Sequence, residues 1–177
     1  MTASDEACGT VVAVDGSMRK IRKGRTVGMA WVDDAGDWWL DYFPFHPRFN
    51  SAAHVFHAEL RAVKKAVLLH NHKVDVLCDS QGVVELVQAW QRGETGDVPK
   101  YYWTGLYQFR DVVHADPDRF TITWVRGHAG HPLNEAADAL AGLGSRARRD
   151  GLTRAAVAER ASGIAASFAS TYREAAA

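Results

Sequence analysis

Short apolar runs separated by polar turn segments divide most of the chain, and their periodicity predicts its elements. Runs rich in β-branched and aromatic residues predict five strands, over residues 10–14, 26–32, 38–45, 74–78 and 120–125. The first run ends at Asp15-Gly16-Ser17, which we interpret as a turn, and a second turn lies between Asp33 and Asp37. The first three strands are therefore expected to form an antiparallel meander.

Helices are predicted where apolar residues recur at helical spacing, over residues 55–70, 101–113 and 133–143. A further helix is expected after Ser80, whose hydroxyl can cap it. Glu59 is expected in the first turns of the first helix. Three strands followed by helix–strand units indicate an α/β protein, with a mixed five-stranded sheet flanked by helices.

The C-terminal part differs in composition, because after residue 145 it becomes rich in Ala, Arg and Ser. A thin apolar stripe predicts a helix there, formed by Leu152, Ala156, Ile164, Phe168 and Tyr172. We expect this stripe to pack on its own domain in a monomer, and a contact between copies is the alternative. The predicted organisation is an N-terminal extension (1–9), a folded domain (10–145) and a helical tail (146–177).

Composition narrows the class of protein. With 177 residues, 47% of them hydrophobic and 24% charged, the chain can bury a core and is not disordered throughout. Its formal net charge of zero conceals a basic segment, made of Arg19, Lys20, Arg22, Lys23 and Arg25. The two cysteines form no disulfide or zinc pattern, and no stretch resembles a signal peptide or membrane helix. We therefore expect a cytoplasmic protein without membrane contact.

Four acids occupy positions that suggest chemistry: Asp15 and Asp79 after apolar strands, and Glu59 and Asp138 on helices. Taken singly, such residues more often make turns and caps or face water. Adjacent central strands would, however, bring Asp15 and Asp79 to one site. Clustered carboxylates repel one another unless they hold divalent cations, and two such ions can promote phosphodiester cleavage.

Four segments resemble type 1 ribonuclease H. Three are short: Val14-Asp15-Gly16-Ser17, His57-Ala58-Glu59-Leu60 and Cys78-Asp79-Ser80-Gln81. The fourth is highly specific and runs from Trp124 through Gly127-His128-Ala129-Gly130-His131-Pro132 to Asp138. They occur in the order of that family and cover about residues 10–145. The resemblance implies the ribonuclease H-like fold, a five-stranded mixed sheet with helices on both sides.

The resemblance also implies an activity, cleavage of the RNA strand of RNA/DNA hybrids to leave 3′-hydroxyl and 5′-phosphate ends. It implies two Mg²⁺ or Mn²⁺ ions, held by Asp15, Glu59, Asp79 and Asp138. His128 matches a loop histidine that assists proton transfer or product release, a task that suits an imidazole. Gln81 matches a position that touches the minor groove, although an exposed helix-start residue is nearly as good an interpretation. We interpret His131 and Asn134 as local scaffolding.

Some segments depart from the family pattern. The basic segment stands where many members have a Gly/Pro-rich loop, and it either contacts backbone phosphates or is a solvated hairpin end. His54-Val55-Phe56-His57 replaces amides that reach the minor groove, and Phe56 cannot hydrogen-bond a ribose. Two alternatives therefore stay open: cleavage of another duplex such as RNA/RNA, and a hybrid-binding module with little turnover.

Two further groups of residues, four histidines and a set of aromatic residues, are not expected to form functional sites. His57-Ala58-Glu59 mimics the His-x-Glu of zinc deaminases, but no Pro-Cys-x-x-Cys follows, so deamination is rejected. A structural zinc site built from His54, His57, His70 and His72 is not expected either. A lysine-rich protrusion found in several bacterial members is absent from residues 92–100. The nearby aromatic residues are expected to belong to the core rather than to stack on nucleic acid: Trp90, Tyr101, Tyr102 and Trp103.

Overall fold

A computed structural model describes residues 9–21, 24–45, 51–96 and 104–176. A five-stranded mixed sheet forms its centre, with the strand order β3-β2-β1-β4-β5. The strands are β1 (Thr10–Ile21), β2 (Gly24–Asp33), β3 (Trp38–Phe45), β4 (Val74–Cys78) and β5 (Phe120–Trp124). The first three pair antiparallel, whereas β4 pairs parallel with both β1 and β5. The predicted meander and the mixed sheet are confirmed.

The first strand is longer than the sequence pattern predicts. β1 continues through Asp15-Gly16-Ser17 to Ile21, so the prediction of a turn there is wrong. The reason is that β2 offers hydrogen-bonding partners over this whole stretch, with Asp15 opposite Ala30 and Ile21 opposite Gly24. The parallel pairing with β4, by contrast, stops at Val14 opposite Cys78. Asp15 is thus the first β1 residue beyond the end of β4.

Helices cover both faces of the sheet. One face carries α1 (Ser51–Leu69), α2 (Gln81–Gln91) and α3 (Thr104–Ala115), and the other carries α4 (Pro132–Ala147) and α5 (Arg154–Ala176). Because α1 begins at Ser51, Glu59 lies in its third turn, and the prediction that it lies in the first turns is wrong. Ser80 is the N-cap residue of α2, but its side chain makes no capping hydrogen bond.

Each face of the sheet has its own apolar core. The core under α1, α2 and α3 contains Val12, Val14, Leu60 and Phe109. It also contains Trp90, which is fully buried and donates from Nε1 towards the carbonyls of Thr95 and Gly96. Trp90 is therefore a core residue, as predicted, whereas Tyr101, Tyr102 and Trp103 lie outside the described residues. The sheet is fixed from both sides, which holds the ends of its central strands in place.

The predicted C-terminal helix is present and packs on the second core. Its small residues Val157, Ala161 and Ala165 are buried, while Ile164, Phe168 and Tyr172 are partly buried against the same cluster. Trp38 Nε1 donates to Ser162 Oγ at 3.3 Å, which ties the helix to β3. The apolar stripe of α5 thus contacts its own chain. Within the described residues, no helix is both long enough and apolar enough to cross a membrane.

Candidate active site

Three carboxylates from different elements meet where β4 ends. Asp15 on β1, Glu59 on α1 and Asp79 directly after β4 each offer an oxygen, and these oxygens lie within 4.8 Å of one another. The convergence depends on the unequal lengths of β1 and β4, because Asp15 lies just past the last residue paired with β4. Asp15 and Asp79 were predicted to meet, and the structure brings them together without a turn at Asp15.

Gly16 allows Glu59 to approach the strand. A Cβ at this position would lie 2.7 Å from both the Cβ of Ala58 and the backbone nitrogen of Glu59. Distances this short are incompatible with a side chain, so the backbone of α1 rests directly on β1 here. The glycine that follows Asp15 therefore determines how closely the Glu59 carboxylate can approach it.

Burial and mutual repulsion make the ionised cluster costly. Asp15 and Glu59 are only 6% and 3% exposed. Burial, followed by the charges of Asp79 and Asp138, raises the pKa of Asp15 well above its ordinary value. Burial and the charges of Asp15 and Asp79 do the same to the pKa of Glu59. The site therefore disfavours its own negative charge when no cation is present.

The fourth predicted acid, Asp138, lies on α4 at the margin of this cluster. Its charge raises the pKa of both Asp15 and Asp79, although it does not belong to the group of three oxygens within 4.8 Å. α4 is placed by its first turn, where His131 Nδ1 accepts a hydrogen bond of 3.4 Å from Asn134 N. The cap confirms the predicted scaffolding role of His131.

Asn134, predicted to be local scaffolding, also acts on the carboxylate cluster. Burial raises the pKa of Asp79, and the polar interaction of its carboxylate with the buried Asn134 side chain opposes this and lowers it. Asn134 and Asp138 are four residues apart on α4, and that spacing places both side chains on the face turned to the cluster. The spacing was a signal for a shared role that reasoning from the motif alone missed.

The oxygens of the cluster fit a hard divalent cation. Asp15 Oδ2 is buried, and no hydrogen-bond donor reaches it among the described residues. An orphaned carboxylate oxygen beside other carboxylates is expected at a cation site, since Mg²⁺ and Mn²⁺ prefer such ligands. The donor set thus agrees with the cofactor that the sequence analysis predicted.

His128 lies on the loop between β5 and α4, next to the cluster. Its side chain is exposed, its φ is +52°, and its positive form lowers the pKa of Asp79. Gly127 holds the loop against this acid, because a Cβ there would lie 2.6 Å from Asp79 Oδ2. The structure therefore brings His128 to the edge of the carboxylate site.

The predicted substrate-binding residues are spread over other surfaces. Arg19 and Lys20 are exposed near the end of β1, and Arg25 is partly buried on β2, whereas Arg22 and Lys23 lie outside the described residues. Gln81 is exposed at the start of α2, where its Nε2 donates to Glu85 Oε1 at 2.8 Å. Contacts of these residues with a substrate stay predictions.

The four histidines considered for zinc do not converge. His54 and His57 lie in the N-terminal half of α1, whereas His70 follows its last residue. Thirteen residues of helix separate His57 from His70, a rise of about 20 Å. Among the described residues, only the cluster of Asp15, Glu59 and Asp79 brings three ligand atoms together.

The fold and the site define the class of protein: an α/β protein with a mixed sheet and buried carboxylates where a central strand ends. The family model described as RNase H matches residues 8–146, and the chain belongs to this family. The predicted family and fold class are thereby confirmed.

Curated relatives agree over part of the chain. Ribonuclease HI of Caulobacter vibrioides is 41% identical over 96 residues, which cover 50% of this chain and 64% of that protein. Ribonuclease H of Cupriavidus metallidurans is 40% identical over 91 residues, covering 48% of this chain and 59% of the relative. Ribonuclease H of Methylorubrum extorquens is 42% identical over 88 residues, which cover 45% of this chain and 37% of that protein. The alignments thus span less than two thirds of each relative.

Proposed function

We propose that this protein is an endoribonuclease that hydrolyses the RNA strand of RNA/DNA hybrids and leaves 3′-hydroxyl and 5′-phosphate ends. The observation that carries the proposal is the meeting of Asp15, Glu59 and Asp79 within 4.8 Å, with Asp138 beside them. Membership of the RNase H family and the names of its curated relatives support the same activity. The substrate class follows from that family relation.

In this proposal the four acids hold two divalent cations, Mg²⁺ or Mn²⁺. When bound, the ions would activate a water molecule and stabilise the leaving oxygen of the phosphodiester. The protein's part is to present its carboxylates in a fixed geometry. Asn134 lowers the pKa of Asp79 and so favours its charged form, and Gly16 and Gly127 allow the backbone of α1 and of the His128 loop to approach.

His128 is proposed to move protons at the edge of the site. An imidazole accepts and donates protons near neutral pH, so it can assist the departure of the cleaved strand. Its place on a loop with glycines on both sides, Gly127 and Gly130, suits a residue that must follow the substrate. Gln81 and the basic residues Arg19, Lys20, Arg22, Lys23 and Arg25 are proposed to contact the hybrid.

A cleavage assay with a labelled hybrid in Mg²⁺ tests the proposal. Asp79→Asn removes a charged ligand and is expected to reduce kcat at least 100-fold. Asp118→Asn, an exposed acid before β5, is the matched control and should cleave like the wild type. Absence of cleavage by the wild type, or full activity of Asp79→Asn, would contradict the proposal.

Phe56 favours a second candidate, cleavage of a different duplex. Its partly buried ring packs near α2, 3.6 Å from the position a Cβ would take at Gly82, and it offers no hydrogen bond to a ribose. Comparing a hybrid, an RNA duplex and a DNA duplex of one sequence separates the candidates. Preferential cleavage of the RNA duplex would replace the first proposal, and tight hybrid binding without cleavage would indicate a binding module.

A further inference from the structure

The outer side of α1 carries cations that the carboxylate site does not use. They line a groove of about 190 Å³ between α1 and the first turn of α3, formed by His57, Arg61, Lys64, Lys65, Gly105 and Leu106. We call it the α1–α3 groove. The side chains of Arg61, Lys64 and Lys65 are partly buried, so their positive charges are held at its walls.

The cations of the groove are held mainly by groups without a charge. Lys64 Nζ donates to the carbonyl of Gly105 at 2.7 Å, and Lys65 Nζ lies 5.7 Å from the centre of the Trp39 ring. Arg61 lies 5.0 Å over the ring of Phe43. Such contacts fix the position of a cation without neutralising it.

Among the described residues, one acid pairs with these cations. Arg61 Nη2 lies 4.0 Å from Asp41 Oδ2, and neither lysine forms an ion pair with any residue that the structure describes. Burial and the positive charges of Lys65 and Arg61 lower the pKa of Lys64. Three cations around one small groove repel one another, and a bound anion would relieve this repulsion.

The groove is close to the proposed cleavage site along the same helix. Arg61 and Lys65 follow Glu59 by two and six residues, which corresponds to a rise of about 3 and 9 Å. Each strand of a nucleic-acid duplex carries a phosphate about every 3.4 Å along the axis, so a strand leaving the carboxylates would present about two phosphates here.

We propose that the α1–α3 groove binds phosphodiester groups of the nucleic-acid backbone, with Arg61, Lys64 and Lys65 as the residues that contact them. The inference rests on the proposed function, because the carboxylates are what place the duplex beside α1. It places contacts with the substrate backbone on the outer side of α1, away from the basic segment at residues 19–25. Contacts of this kind add affinity without reading sequence.

Binding measured at several salt concentrations tests the groove. The double variant Lys64→Gln/Lys65→Gln removes two charges, and Lys73→Gln/Arg160→Gln removes two exposed charges elsewhere as its matched control. The Kd of a fluorescent RNA/DNA hybrid is measured by anisotropy in EDTA against KCl concentration. The groove variant is expected to weaken binding roughly 10- to 100-fold and to reduce the slope of log Kd against log salt by about 2.

A single variant guards against a merely structural effect. Lys65→Gln leaves the hydrogen bond between Lys64 and Gly105 intact, so its fold and melting temperature should match those of the wild type. It is expected to reduce the salt slope by about 1. In Mg²⁺, both groove variants should raise KM and leave kcat unchanged.

The outcomes separate this inference from the proposed function. Groove variants with the Kd and salt slope of the control would overturn the inference, even if the wild type cleaves hybrids. A wild type that binds through the groove and cleaves nothing would instead refute the proposed nuclease and leave the groove as a binding surface. A wild type that binds no hybrid would refute both.

Discussion

Asp15 lies in surroundings that disfavour its ionised form when no cation is bound. Its carboxylate is almost fully buried, one oxygen has no donor among the described residues, and two other acids face it. Such an arrangement destabilises the folded protein when the acid is ionised. It stabilises the folded protein again once a cation is bound, since the cation binds only the folded cluster.

A change of Asp15 to its neutral isostere is expected to stabilise the protein without metal. The folded state raises the pKa of Asp15, so this group favours folding below its unfolded value, near pH 4, and loses that contribution as the pH rises through the folded value. At pH 8, Asp15→Asn should therefore increase the free energy of unfolding by about 1–3 kcal/mol, as measured by urea unfolding in EDTA.

Magnesium should stabilise the wild type but not the Asp15→Asn variant. It is expected to raise the melting temperature of the wild type by several degrees and to have little effect on Asp15→Asn. Asp118→Asn, at an exposed position, serves as the control in both buffers. A wild type whose melting temperature ignores Mg²⁺, or an Asp15→Asn protein less stable than wild type in EDTA at pH 8, would contradict this account.

At the scale of elements, the site depends on the packing of α1 against the part of β1 that extends beyond the end of β4. Gly16 is the contact point, and the helix backbone there leaves no room for a methyl group. The same helix carries Glu59 towards the carboxylates and Arg61, Lys64 and Lys65 towards its outer side. One helix thus connects the proposed cleavage chemistry with the proposed grip on the backbone.

Gly16→Ala is expected to displace α1 and with it the Glu59 carboxylate. Overpacking at this contact should cost about 1–3 kcal/mol of unfolding free energy and reduce cleavage at least tenfold. Gly163→Ala on α5 is the control, since nothing lies within 4 Å of the added Cβ, and it should stabilise the helix by up to about 1 kcal/mol. Urea unfolding and the hybrid assay together check both results; full activity of Gly16→Ala would show that the contact is unimportant for the site.

At the scale of the whole molecule, the zero net charge conceals a local separation of charge. Three acids meet at the end of β4, whereas cations line the outer side of α1 and the end of β1. On the other face of the sheet, α5 adds a layer over α4 and β3, in which small residues such as Ala161 and Ala165 are buried. This layer lies away from the three carboxylates, which come from β1, α1 and the end of β4.

Removal of residues 154–177 is expected to lower stability more than it changes the active site. The deletion removes Val157, Ala161 and Ala165 and exposes the apolar side chains of α4 and β3 that they cover. The free energy of unfolding should fall by about 3 kcal/mol or more. At a temperature where the shortened protein is folded, its kcat should stay within a few fold of the wild type. Light scattering should show monomers for both lengths, and a change of mass on deletion would instead assign α5 to a contact between copies.

The sequence alone determined the family and the order of elements, and it predicted the four acids of the site. Strand and helix periodicities are local, so β3, β4 and the C-terminal helix were predicted with few errors. The motif around His128 is long enough to be specific by itself. These features need only residues that are close together in the chain.

Only the tertiary structure decided how the acids meet and what surrounds them. The end of β1 was misplaced because its extension depends on pairing with β2, and the position of Asp15 depends on where β4 stops. The effect of Asn134 on Asp79 and the groove between α1 and α3 involve residues about 40 to 55 positions apart. Such contacts follow from strand register and helix packing, which a local pattern does not encode.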